Sequence, residues 1–266
     1  MNRALATFAL ETMRFVRARV PIPRRQRVFG QDIRLTPNTI FPNHWRYRLP
    51  RGSGRPAAVR YTDYVQFCSN CDYLAGLDHP PVVIDVGAYH GAYAVTLGMF
   101  CRPDGRLIAV EPDTESFRIL ERNIKLNHLG SIVSAERVAV SDVEGTSGFR
   151  SHGSHSQMVK DGATTTVRTL RSIISRLGIN HVDLLMIDIE GAELLALRGY
   201  PWESVTFGRI MCELHPYNWG LYGHGWTEFH ALLSERGLCC LDMYLRDIRS
   251  VKSSQKYVGP CLMWRP

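Results

Sequence analysis

Acidic residues that close short apolar runs are the positions in this chain where chemistry is expected. Val82-Val83-Ile84 ends at Asp85 and breaks into the turn Val86-Gly87-Ala88-Tyr89-His90-Gly91. Leu107-Ile108-Ala109-Val110 ends at Glu111-Pro112. Further along, Leu184-Leu185-Met186-Ile187 runs into Asp188-Ile189-Glu190-Gly191-Ala192-Glu193, and Ile210-Met211-Cys212 runs into Glu213-Leu214-His215. The first two units suit a nucleoside. Glycines let backbone approach a ligand, the helix after such a turn offers N–H groups to an anion, and an acid closing the second strand accepts both ribose hydroxyls.

The ligand carries no pyrophosphate. A dinucleotide turn reads G-x-G-x-x-G, whereas here only Gly87 and Gly91 are present and Asp85 precedes them. An anionic side chain at that place repels phosphate and attracts an ammonium group. No G-x-x-x-x-G-K-[ST] occurs in the chain, which excludes the common nucleotide-triphosphate loop. S-adenosylmethionine, with an amine, a carboxylate and a sulfonium but no phosphate, fits these constraints.

Ligands of open parallel sheets bind beyond the carboxyl ends of the strands. That rule places Asp188, Glu190, Glu213 and His215 nearest the reacting group. Imidazole titrates near neutrality, so His215 is the expected general base, with Asp188 orienting it or binding substrate. Glu213 and His215 are two apart on one strand and share a face, so Asp188, Glu213 and His215 form an alternative set of ligands for Mg²⁺, which would acidify a hydroxyl directly. Two other histidines, His152 and His155, lie in a Ser/Gly-rich excursion and are either a substrate lid or ordinary surface. Trp219, Tyr222, His224 and Trp226 make an aromatic loop that suits the apolar faces of sugars or covers a sheet edge.

The elements that must carry these residues alternate. Strands are expected at Val82–Val86, Arg106–Val110, Ile132–Val140, Val182–Ile187, Thr206–Leu214, Leu238–Tyr244 and Tyr257–Trp264. Helices are expected at Ala92–Phe100, Thr114–Asn127, Leu170–Leu177, Leu194–Gly199 and Trp226–Glu235. Strands alternating with helices specify an α/β fold with a parallel sheet, and the last two strands, joined by a short basic turn, put one antiparallel strand at its edge. Before it, helices are expected over Ala4–Val20 and Tyr61–Leu77, and proline-rich irregular structure over 21–56.

Composition narrows the class. With 266 residues, 45% of them hydrophobic and 21% charged, the chain can bury a full core without metal or disulfide staples. The net charge of +7 is uneven: residues 1–60 hold thirteen arginines against Glu11 and Asp32, a net +11, and leave −4 for the rest. We therefore divide the chain into a basic extension, 1–79, and a ligand-binding domain, 80–266. The extension suits peripheral contact with an anionic membrane or acidic glycan, or is a solvated arginine-rich face. No apolar stretch reaches the roughly 20 residues of a transmembrane helix. Seven scattered cysteines point to reduced thiols and a cytoplasmic setting, and Cys68-Ser69-Asn70-Cys71 lacks the second pair a zinc site needs.

The stretches Val83–Gly91, Val110-Glu111-Pro112, Ala139-Val140-Ser141-Asp142 and Met186–Glu193 together resemble the FkbM family of S-adenosylmethionine-dependent methyltransferases. Glu213-Leu214-His215 is similar to that family's ending after its fifth strand. The resemblance spans about residues 80–245, and Ile-Asp-Ile-Glu-Gly-Ala-Glu is its most specific part. It implies a class I methyltransferase Rossmann-like sheet, ordered 3-2-1-4-5-7-6 with strand 7 antiparallel, and O-methylation of a sugar, glycan or glycosylated natural product. On that reading Asp85 orders the methionine end, and backbone N–H groups near Gly87 and Gly91 meet its carboxylate. Ala88, Tyr89 and Pro112 border the nucleoside, Glu111 takes the ribose hydroxyls, and Asp142 accepts the adenine amine. Tyr89 and His90 depart from the small or amide side chains usual in that loop. Two other functions compete: a nucleic-acid methyltransferase recruited by the basic N-terminus, disfavoured because the Asn/Asp-Pro-Pro-Tyr/Phe tetrapeptide is missing, and a cofactor-binding module without catalysis.

Overall fold

The computed structural model describes residues 24–28, 31–36, 69–150, 157–159, 161–242, 245–250 and 259–266. Runs of aliphatic residues too apolar to face water on either side make the central strands of its main sheet, and more mixed stretches make its edges. These are β3 (Val82–Val86), β4 (Arg106–Val110), β5 (Val133–Glu136), β10 (His181–Ile187), β11 (Thr206–Leu214), β12 (Cys239–Leu241) and β13 (Gly259–Trp264). They lie in the order β12-β13-β11-β10-β3-β4-β5. Numbered within this sheet alone, that is 3-2-1-4-5-7-6 read from the other edge. Every pairing is parallel except those of β13, which runs against both β11 and β12.

Successive residues feed opposite layers, as the two-residue period of a strand requires. Ile84, Val86, Ile108, Val110, Leu185 and Ile187 face one core, and Val83, Leu107, Ala109, Leu184 and Met186 face the other. Helices α1 (Ala92–Phe100) and α2 (Thr114–Leu126) cover the second core; α3 (Leu170–Arg176), α4 (Glu193–Arg198), α5 (Pro216–Trp219) and α6 (Trp226–Glu235) lie with the first. Helix starts follow local chemistry: the Asp113 side chain accepts Ser116 N–H at 2.8 Å to begin α2, and Thr169 accepts Ser172 N–H at 3.1 Å to begin α3.

Register sets up the site. Val86 lies opposite Val110 and Ile187, and Ile187 opposite Cys212. Gly87, Glu111 and Asp188 therefore leave the sheet next to one another, beside Glu213 near the end of β11. Four acid- or glycine-bearing ends meet at one edge.

Three expectations change. The single strand expected over Ile132–Val140 is two, broken at Arg137-Val138: β5 ends the main sheet and β6 (Ala139–Ser141) starts another. The break follows the charged pair Glu136-Arg137, and the apolar residues on its two sides enter different cores, Val133 one and Val138 and Val140 the other. The second sheet, β6-β9-β7-β8, adds β7 (Gly145–Arg150), β8 (Gln157–Val159) and β9 (Ala163–Thr169), none of which was expected. In β9 only Thr165 and Val167 are buried, so the alternation is carried largely by threonine.

The N-terminal stretch expected to be irregular contains an antiparallel hairpin, β1 (Arg24–Val28) with β2 (Gln31–Leu35). Ile33 and Leu35 are fully buried against α1 and α2. On α2, Asn127 Oδ1 accepts Arg34 N–H at 2.7 Å, its Nδ2 donates to Arg34 O at 2.6 Å, and Asn123 Oδ1 accepts Thr36 N–H at 2.7 Å. Pro23 and Pro37 bracket the hairpin. Residues 69–75 are helical, within the helix expected over Tyr61–Leu77. The helix expected over Ala4–Val20, and His152 and His155, lie outside the described residues. Among the described residues no helix is long and apolar enough to cross a membrane.

Candidate functional site

A cavity of about 250 Å³ opens where the four strand ends meet. Gly87, Ala88, Tyr89, Glu111 and Pro112 line one end, and Asp188, Glu190 and Glu213 the other. Val138, Ala139 and Val140 form part of its wall, and Phe149, Met158 and Tyr222 close it from the second sheet and the loop before α6. Sequence reasoning missed Phe149 and Met158, because the strands that carry them were not recognised.

At the first end the chain turns sharply. Gly87 has φ 90°, and a Cβ there would lie 1.8 Å from the carbonyl oxygen of Asp188, so only glycine fits. Gly91, at φ 80°, packs on the Leu120 side chain as α1 begins. Tyr89 takes a left-handed conformation at φ 48° without being glycine, and its N–H donates to Glu111 Oε2 at 2.8 Å. The other oxygen, Oε1, accepts Asp113 N–H at 2.8 Å. Glu111 therefore holds the loop that it faces. Its burial raises its pKa to about 7 against the lowering pull of those two N–H bonds.

Asp85 sits beneath the turn with 2% exposure, outside the cavity lining, and its Oδ2 has no hydrogen-bond partner among the described residues. Burial, then the nearby Glu111, push its pKa up to about 7. Tyr89 stacks on His90 with ring centroids 3.8 Å apart. Burial lowers His90 to about 4, which leaves it neutral at pH 7.

The expected anion cradle is differently built. Gly87 and Ala88 N–H donate to Val110 O, Tyr89 N–H to Glu111, and Gly91 N–H to Ala88 O. The turn thus spends these donors on its own closure. An anion at this end has the first turn of α1 beside it, where Ala92 lines the cavity. Asp142 stands outside the cavity lining, with Ser141 Oγ 3.1 Å from its Oδ1.

At the second end His215 is the hub. It is 4% exposed, and its Nδ1 lies 2.7 Å from Glu193 Oε1. That oxygen also accepts Gly191 N–H at 2.7 Å, while Glu193 Oε2 accepts the Trp219 indole N–H at 2.9 Å. Three carboxylates surround the other ring nitrogen: His215 Nε2 is 3.8 Å from Asp188 Oδ1, 3.8 Å from Glu190 Oε1 and 3.9 Å from Glu213 Oε1. Asp188 and Glu213 look into the cavity, their side chains 41% and 39% exposed, whereas Glu190 is at 10%.

Glu190 takes φ 55° and Gly191 φ 113°, which folds the chain back toward the sheet. A Cβ at Gly191 would lie 2.5 Å from that of Asn218. Tyr217 O–H donates to Glu190 Oε2 at 3.1 Å, and Asn218 Nδ2 donates to Glu190 O at 3.0 Å. Tyr217 and Glu193 had no assigned role in the sequence; their parts here come from contacts across more than twenty residues.

Electrostatics alters the expected role of His215. Burial alone would lower its pKa, but the Glu193 bond and the surrounding carboxylates raise it to about 9. Burial raises Asp188 to about 7 and Glu213 to about 8, with neighbouring carboxylates adding to it and His215 opposing it. The same carboxylates that favour a proton on His215 would favour a metal cation in its place, and either use of Nε2 removes it as a free general base. The grouping also differs from the one expected: Asp188, Glu190 and His215 each offer a ligand atom within 4.8 Å of the others, so Glu190 stands where Glu213 was expected.

The family is given by the sequence match. Residues 85–237, more than half of the chain, match the family described as methyltransferase FkbM domain. The methyltransferase sdnD of Sordaria araneosa is 25% identical over 179 residues, covering 52% of this chain and 69% of that protein. Among solved structures, a SAM-dependent methyltransferase from Agrobacterium tumefaciens has a TM-score of 0.46 at 10% identity, over 93% of this chain and 71% of that one. The O-methyltransferase TomG from Streptomyces achromogenes, solved with SAM, has a TM-score of 0.43 at 12% identity, over 79% and 81%. With its acid-glycine turn, its Asp188–Glu193 block and a domain match over more than half its length, the chain belongs to the FkbM family of S-adenosylmethionine-dependent methyltransferases.

Proposed function

We propose that this methyltransferase moves the methyl group of S-adenosylmethionine to a hydroxyl of a sugar, glycan or glycosylated natural product. The observation that carries this reading is the make-up of one cavity: carboxylates at both ends and no lysine or arginine among its described lining residues. Such a cavity repels phosphate, which disfavours both a nucleotide cofactor and a nucleic-acid acceptor, and it accepts a sulfonium donor and a neutral polyol. The aromatic and apolar wall of Phe149, Met158 and Tyr222 suits the apolar face of a sugar or its aglycone.

Asp85, buried beneath the turn, favours the donor's ammonium group from behind the lining. Glu111 accepts the ribose hydroxyls, Gly87 lets the backbone pass close to the methionine, and Ala88, Tyr89 and Pro112 border the nucleoside. Asp188 takes the hydrogen bond of the acceptor hydroxyl, and His215, held from behind by Glu193, positions Asp188. In the transfer the acceptor oxygen forms its bond to the methyl carbon as the carbon–sulfur bond breaks. The sulfur keeps that electron pair, and the hydroxyl proton leaves to the carboxylate cluster or water. Alignment of oxygen, carbon and sulfur supplies most of the rate.

Transfer of labelled methyl from S-adenosylmethionine to a panel of free sugars, glycosides, oligosaccharides, RNA and DNA tests this. Alkali-stable label on a carbohydrate hydroxyl is the expected result. Label on nucleic acid alone, or cofactor binding without transfer to any member, overturns it.

A further inference from the structure

We propose that Asp188, Glu190 and His215 form a divalent-cation site at the acceptor end of the cavity. The distances distinguish this from an ion pair. A protonated ring nitrogen beside carboxylates draws one of them to about 2.8 Å. Here His215 Nε2 instead stands 3.8 Å from Asp188 Oδ1 and 3.8 Å from Glu190 Oε1, too far for a hydrogen bond to either. Atoms bound at about 2.1 Å to one ion stand roughly 3–4 Å apart; both distances from Nε2 fall in that range, and all three ligand atoms lie within 4.8 Å of one another.

The second observation is the histidine itself. Its side chain is 5% exposed, and Nε2 points at the cluster with no partner at hydrogen-bonding distance among the described residues. Its other nitrogen meets Glu193 at 2.7 Å, and Glu193 is pinned by Gly191 N–H and the Trp219 indole. A carboxylate behind a histidine is the outer shell that orients an imidazole toward a metal and raises its basicity. Glu190 is aimed as deliberately: a left-handed backbone, a bond from Tyr217 and another from Asn218 hold it. Strain of this kind persists where surrounding contacts over-determine it.

Two carboxylate oxygens and one imidazole nitrogen suit a hard or borderline ion such as Mg²⁺ or Mn²⁺. Three protein ligands leave positions for water and for two neighbouring oxygens of an acceptor, so a vicinal diol is the favoured substrate class. The cation lowers the pKa of the bound hydroxyl, and Glu213, whose Oε1 is 3.9 Å from Nε2, stands beside the site to take the released proton. The cation's part in methyl transfer rests on the proposed reaction at a hydroxyl; the site itself rests on geometry.

Titrating the full chain with Mn²⁺, followed by loss of the free-ion electron paramagnetic resonance signal, tests the site without an acceptor. One saturable equivalent, displaced by Mg²⁺, is expected. Asp188→Asn, Glu190→Gln and His215→Asn should each weaken it by roughly tenfold or more, and Glu193→Gln by roughly tenfold to a hundredfold. Asp188→Asn is near-isosteric and half-exposed, so it reports even where His215→Asn fails to fold. No saturable Mn²⁺ equivalent, or Mn²⁺ affinity unchanged in Asp188→Asn and Glu190→Gln, overturns the site. Methyl transfer to a hydroxyl that survives a chelator and needs no added ion overturns the cation's part in the reaction. Mn²⁺ bound as described, with no hydroxyl methylated, leaves the site standing and removes the proposed acceptor.

Discussion

Glu193 holds Nδ1 of His215 at 2.7 Å, and that bond decides which nitrogen the histidine shows to the cavity. The two residues are 22 apart in sequence and come from α4 and the end of β11. Glu193 is 1% exposed and serves three donors at once. Removing it leaves a backbone N–H, an indole N–H and a buried imidazole nitrogen without their partner. Glu193→Ala should therefore lower the free energy of unfolding by about 3–5 kcal/mol. Urea denaturation checks this, and a loss below about 1 kcal/mol would show that His215 is held by something else.

Gly87 makes the closest backbone approach at the cofactor end. Its φ of 90° and the 1.8 Å gap to Asp188 O leave no room for a methyl group. Gly87→Ala should displace the Asp188 backbone, cost on the order of 2–4 kcal/mol of stability and abolish measurable binding of S-adenosylmethionine. Calorimetry on the folded fraction reads the binding. Wild-type affinity in this variant would remove the turn from the cofactor site.

Glu111 carries a prediction in pH. Its burial raises the pKa to about 7 from 4.5, with Asp113 adding to the rise and Asp85 beside it also lifted to about 7. A carboxylate raised on folding stabilises the free protein below its unfolded pKa, and the benefit is lost as pH rises through the folded value. The free protein should lose stability between about pH 4.5 and 7. Ribose hydroxyls and an ammonium favour the ionised acids, so cofactor affinity should move the other way, rising from pH 6 to 8 with proton release on binding. Calorimetry in buffers of different ionisation enthalpy measures both. Glu111→Ala should weaken binding by roughly a hundredfold, the worth of two charge-assisted bonds.

The hairpin of residues 24–35 belongs to the domain through Asn127, which takes both a donor and an acceptor from Arg34. Asn127→Ala leaves that backbone pair unsatisfied beside α2 and should cost about 1–3 kcal/mol. Amide hydrogen exchange should show β2 losing protection before the main sheet does. Equal protection in the variant and the wild type would mean that Ile33 and Leu35 alone hold the hairpin.

What the sequence determined by itself was the main sheet and the kind of residue at its edge. Strands buried on both faces demand unbroken apolar runs, so Val82–Val86 and Arg106–Val110 were legible to the residue. An acid closing such a run is visible in the same way, which is why Asp85, Glu111, Asp188 and Glu213 stood out. The hairpin was hidden because two buried residues between prolines carry too little signal. The second sheet was hidden because threonine, not an aliphatic side chain, fills much of its alternation.

Only the tertiary structure decided how these groups face one another. That the turn spends its N–H groups on Val110 and Glu111, that Glu190 joins Asp188 and His215 in one cluster, and that His215 stands among carboxylates all depend on chain segments brought together by folding. The physical reason is range. Burial and strand period act over a few residues and leave a local record in the sequence. Hydrogen bonds and charges at this site act across strand ends, where the partner is set by register and by the left-handed turn at Glu190.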